Sequence, residues 1–184
     1  MRMTLGVAAV LIVVAGSSTG RSQTAALPAD QRITFSAVKV TQGEDPHAYG
    51  IELHFWKRAG SWVGFMNEYT GFIADPPAGR LDGLQIDEAA GKIAFTAKLS
   101  LGMTTAKGTT EWVRTKDVYE LTGTIDKDAI AGVLSKRQAD DPPGRTTKES
   151  VTLKRQPHDS TDDTSYDQWI KTWTLILQVR GPKW

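Results

Sequence analysis

The chain reads as a mainly β protein, an antiparallel meander closing into an eight- or nine-stranded up-and-down barrel with one C-terminal helix. Three features predict this. Apolar residues recur with a period of two in short segments. Turn residues interrupt them roughly every ten positions, so most connections are too short for crossover helices. The period changes to a helical one only near the C-terminus. The 184 residues hold one domain, not two substantial cores. A two-sheet β-sandwich is the alternative closure. The barrel is preferred because sequential hairpins need no long Greek-key return. It also accounts for Gly64, Gly83, Gly123 and Gly132, which fall inside strands where a small barrel bends.

The N-terminus has to be set aside before the fold is argued. Arg2, the apolar run Leu5 to Ala15 and the small residues Gly16 to Gly20 have the layout of a secretory signal peptide. The apolar run of 11 residues is too short to span a bilayer, which needs about 20. Cleavage is expected after Gly20 or Ala26. The chain then divides into a signal peptide and short leader (1–26), a barrel domain (27–157), and a polar linker with a helix (158–184). The expected location is periplasmic or extracellular, with no transmembrane segment.

The strands follow in order. Ile33 to Val40 alternates and then slips phase at Val38, as a bulge would require. In Tyr49 to Trp56 the set Tyr49, Ile51, Leu53, Phe55 alternates with Gly50, Glu52, His54, Trp56, the pattern of a half-buried strand. The apolar set is expected inside. Lys57 to Gly60 turns the chain into Ser61 to Tyr69. Arg80 to Ile86 pairs through a turn with Lys92 to Leu101, and Glu111 to Arg114, Val118 to Ile125, Ala129 to Leu134 and Glu149 to Arg155 complete the series. Asp75-Pro76-Pro77 and Asp141-Pro142-Pro143 must be loops, because consecutive prolines withhold two ladder donors.

The tail departs from this period. Ser165 with Gln168 makes a capping box, after which Tyr166, Trp169, Ile170, Trp173, Ile176 and Leu177 fall on one helical arc. Gly181 and Pro182 stop it, so a helix is expected from Ser165 to about Val179. Thr172 to Val179 also alternates, and a strand there is the competing reading.

Gly60-Ser61-Trp62 resembles the Gly-x-Trp of lipocalin-type barrels, and the chain is similar in general to small exported bacterial β-barrels. The resemblance implies that Trp62 packs across the closed end of the barrel. Here, however, two strand-like runs precede the motif, and no disulfide can form.

Composition excludes several chemistries. Without cysteine there is no disulfide scaffold, thiol nucleophile or Cys-ligated metal. With 22 basic against 21 acidic residues there is no field for nucleic acid. No phosphate loop, zinc-protease or nucleophile-elbow motif occurs, and no cofactor or metal is expected. Asp pairs such as Asp126 with Asp128 sit where turns need them. The six tryptophans are expected as core and helix-docking residues, with pocket lining as the alternative.

The candidate site is therefore the mixed face of one strand and its aromatic neighbours: Glu52, His54, Trp56, Trp62 and Tyr69. Glu52 and His54 share a face and could form an acid–base pair. The leading expectation is a non-enzymatic, exported barrel that binds a small apolar or aromatic molecule or an unidentified protein partner. A hydrolase or isomerase using Glu52 and His54 in the barrel mouth is the second, and a structural envelope protein with a filled barrel is the third.

Overall fold

The computed structural model describes residues 31–71, 73–74, 76–158 and 164–180. The expected signal peptide, residues 159–163 of the polar run, the expected stop at Gly181 and Pro182, and the side chains of Ile176 and Leu177 lie outside the described residues.

Eleven strands are described: β1 (Ile33–Ser36), β2 (Lys39–Val40), β3 (Ala48–Arg58), β4 (Ser61–Gly71), β5 (Ala78–Asp87), β6 (Lys92–Leu99), β7 (Met103–Thr105), β8 (Trp112–Arg114), β9 (Asp117–Ile125), β10 (Ala129–Gln138) and β11 (Thr147–Arg155). The helix α1 covers Tyr166–Arg180, so the competing strand over 172–179 does not form. Eight strands close an antiparallel barrel in the order β1-β11-β10-β9-β6-β5-β4-β3, with β3 returning to β1. The sandwich alternative is thereby excluded. The run 33–40 splits where its phase slips, and β2 continues alone along β3. The meander is interrupted once, where β7 and β8 pair as a separate ribbon between β6 and β9.

The inward positions follow the sequence alternation. Leu53, Phe55, Met66, Leu99, Leu121, Ile130, Leu134 and Leu153 are all buried in one cluster. Each such side chain contributes about 1.5–3 kcal/mol by leaving water. In β5 the phase is reset by a bulge between Asp82 and Gln85, with Gly83 at φ 60, and this returns Leu84 and Ile86 to the core after Leu81. Gly123 and Gly132 oppose each other across β9 and β10. A Cβ on Gly123 would stand 2.3 Å from the Ala131 carbonyl oxygen, so the tight approach at this bend excludes any side chain.

Trp62 packs on the core cluster near one end of the barrel, edge-on to Phe55 at 6.5 Å. Its Nε1 donates to Glu88 at 3.1 Å, and the Lys57 ammonium, itself paired with Glu88, lies 5.3 Å over the ring. Toward the other end the interior turns polar. Glu68 accepts from the Tyr119 hydroxyl and from Lys136 Nζ, the latter at 3.1 Å. Asp117, buried, accepts from the Leu101 backbone N–H at 3.1 Å and from Gln138, fastening the base of the ribbon. Trp112 on that ribbon departs from the expectation of a core tryptophan: it is 66% exposed. Three residues of ribbon cannot cover an indole.

The helix lies outside the barrel. Its predicted capping box forms, with Gln168 N–H donating to Ser165 Oγ at 3.2 Å and Ser165 N–H to Gln168 Oε1 at 3.0 Å. Tyr166, Trp169 and Ile170 pack on Trp56, Val63, Phe65 and Ala78, which face outward from β3, β4 and the start of β5. Trp169 stacks on Phe65 at 3.7 Å, and Trp173 stacks on Trp169 at 5.3 Å. No helix among the described residues is long and apolar enough to cross a membrane.

Candidate functional site

With Ile51, Leu53 and Phe55 inward, the alternation of β3 sends Glu52, His54 and Trp56 to the outer wall. They therefore do not reach the lumen, and an acid–base pair in the barrel mouth does not form. These three are nevertheless only slightly exposed or fully buried, because the segment after β11 and the helix cover this wall. His54 and Trp56 are 6% and 0% exposed.

The register builds a cluster around them. Thr34 of β1 lies opposite His54, and Ser36 opposite Glu52. On the other side Phe65 of β4 lies opposite His54, and Asn67 opposite Glu52. The imidazole is held by three contacts. Its Nε2 lies 3.0 Å from Glu52 Oε2, its Nδ1 lies 3.0 Å from Thr34 Oγ1, and its ring stacks on Phe65 at 4.4 Å. A neutral ring facing an ionised Glu52 carries its proton on Nε2 and accepts from the Thr34 hydroxyl at Nδ1. The Asn67 amide nitrogen stands 3.4 Å from Nε2. Tyr69 lies in the same outward phase beside Asn67 and Glu52; burial first, and then the Glu52 carboxylate, push its phenol above the ordinary value of 10.0.

Thr34, Glu52 and His54 form one side of a cavity of about 210 Å³, bordered by Gln31 to Ile33 and by Arg155 to His158. At ~30 Å³ per water this is space for about seven waters, enough for a small polar molecule. Arg155 to His158 also border a second, more open cleft beside Asp128, Ala129, Thr152 and Lys154. Among the described residues no group of three or more His, Asp or Glu side chains converges as metal ligands would.

Of the five candidate residues, the structure brings Glu52, His54 and Tyr69 together. Trp56 adjoins them through Phe65, at 5.6 Å ring to ring, but its indole is committed to the helix and its Nε1 donates to the Thr164 carbonyl at 3.2 Å. Trp62 belongs to the barrel's core and lies apart from the cavity. Local sequence patterns do not mark Thr34, Arg32 or Asn67 as site residues. Thr34 does sit between Ile33 and Phe35 in the outward phase, and that was its one readable signal. No protein-family model matches this chain, and no curated protein or solved structure matches it significantly.

Proposed function

We propose that this protein is an exported binding protein that takes a small, polar, negatively charged ligand on the outer wall of its barrel. The observation that carries this is the cavity in which Thr34 and His54, already joined to Glu52, meet a border containing Gln31, Arg32 and Gln156. A cationic side chain among amide and hydroxyl groups suits an anion, and pre-placed donors make its binding orientationally specific. The lumen is the weaker candidate for a ligand, since Leu53, Met66, Leu99, Leu121, Ile130 and Leu153 are each 0% exposed inside it. This is why the ligand class moves from the apolar molecule that a hollow barrel would take to a polar one. The signal-peptide layout of residues 1–26 supports export.

Titration of the isotope-labelled protein with acetate, succinate and inorganic phosphate tests the binding reading. Saturable NMR shifts are expected at Thr34, His54 and Gln156, and Arg32→Gln weakens them. Shifts confined to interior methyl groups, or no saturable response to any of these anions, would overturn it. N-terminal sequencing of protein recovered from the cell envelope or medium tests export; finding Met1 there defeats that part.

A further inference from the structure

We infer that Thr34 is a nucleophile and that the outer-wall site hydrolyses small esters carrying an anionic group. The inference rests on the binding pocket proposed above and adds chemistry to it. A buried histidine needs partners for both ring nitrogens in any case, so the hydrogen bonds alone do not imply a reaction. What goes further is their order and their exposure to the cavity. A hydroxyl, an imidazole and a carboxylate stand in series, with 3.0 Å at each link. Thr34, His54 and Glu52 all line the cavity, which is where a substrate carbonyl would meet Thr34 Oγ1. This is the nucleophile, base and orienting-acid arrangement, here with the nucleophile on Nδ1 and the carboxylate on Nε2.

The steps balance on these groups. Thr34 Oγ1 forms a bond to the ester carbonyl carbon as its proton passes to His54 Nδ1. Glu52, on Nε2–H, holds the ring in place and stabilises the imidazolium. The tetrahedral adduct collapses with cleavage of the ester C–O bond, and the leaving alkoxide takes the proton from Nδ1. Water then gives a proton to Nδ1 and adds to the acyl-threonine. The Thr34 oxygen leaves and recovers its proton, releasing the carboxylic acid. Arg32, on the same cavity, supplies positive charge near the developing oxyanion. Glu52 positions the base, while Thr34 and His54 are the groups that meet the substrate.

The full chain is incubated with p-nitrophenyl acetate and with mono-p-nitrophenyl succinate. Peptide mass spectrometry after an acid quench locates any acyl group. Acylation of Thr34, with faster release of p-nitrophenol from the succinate ester, is the expected result. Thr34→Val keeps the β-branched shape and removes the hydroxyl, and it should abolish both signals. Thr34→Ser should retain them. His54→Gln should lower the rate by about 10²–10⁴-fold, the usual contribution of a positioned base. Glu52→Gln should lower kcat more than it raises KM. Circular dichroism establishes that each variant is folded. Acylation only of lysines, or a rate in Thr34→Val equal to that of the parent, overturns the inference. If anions still shift Thr34 and His54 in NMR while no acyl-threonine forms, hydrolysis fails and binding stands; if neither occurs, both fail.

Discussion

Inside the barrel, opposite Ile51, the carboxyl group of Glu68 faces the lumen with only 14% of its side chain exposed. Burial raises its pKa above the ordinary 4.5, and the Lys136 charge only partly offsets this. The folded protein thus holds this proton more tightly than the unfolded chain does. The resulting stability is fully present below the unfolded pKa and is lost as pH rises through the folded one. Glu68→Gln should remove that loss: urea midpoints of parent and variant, followed from acid to neutral pH, should separate in the variant's favour as pH rises. A constant difference would refute the assignment. Lys136→Met leaves the carboxylate without its cation and should cost about 1–2 kcal/mol at neutral pH, less than a fully buried pair because Lys136 is 36% exposed. A second residue-scale strain lies in the β3–β4 turn, where Ala59 and Gly60 have φ of 45° and 83° between the paired Arg58 and Ser61. A two-residue turn of this kind suits Asn-Gly, and left-handed alanine is disfavoured by roughly 1–2 kcal/mol. Ala59→Asn should therefore raise the melting temperature; an unchanged or lower value would mean that the turn carries no such strain.

Elements were the most legible level, because their signals are local. The period of two identified β3 and β6, and the Ser165–Gln168 capping box located the helix start to within a residue. The ribbon strand β7 (Met-Thr-Thr) was not legible: three exposed residues have no apolar alternation to display. The helix is anchored by its first two turns, through the Trp56, Phe65 and Trp169 stack and the paired hydrogen bonds from Arg58 to Asp167 at 2.8 and 2.9 Å. Trp56→Ala removes a fully buried indole and should cost about 3–5 kcal/mol. Trp169→Ala should cost less, because that ring is only half-buried, and should free the helix while the barrel stays folded. Chemical denaturation and hydrogen exchange of residues 166–175 check both effects. Unchanged helix protection in Trp169→Ala would show that the stack does not hold it.

At the scale of the molecule, four residues close the barrel. Strand β1 pairs Ile33 through Ser36 with Phe55 through Glu52, and pairs Phe35 and Ser36 with Arg155 and Lys154. The same seam assembles the candidate site, bringing Thr34, His54 and the segment after Arg155 to one cavity. This explains which part of the site could be read from sequence. Glu52, His54 and Tyr69 share an outward phase within one hairpin, and alternation reveals that. Their meeting with Thr34 depends on the β1–β3 register, and with the segment after Arg155 on the pairing of β1 with β11 from the far end of the barrel domain, which no local pattern encodes. The seam also protects the molecule, because closure leaves β3 and β11 without long unpaired edges. Beginning the chain after Ser36 should uncover both edges, with β2 covering β3 only at Tyr49 and Ala48. Such a truncated protein should self-associate through strand pairing and lose the saturable anion response at His54, as light scattering and NMR titration would record. A monomer with the parent's unfolding midpoint would show that the barrel does not depend on β1 for closure.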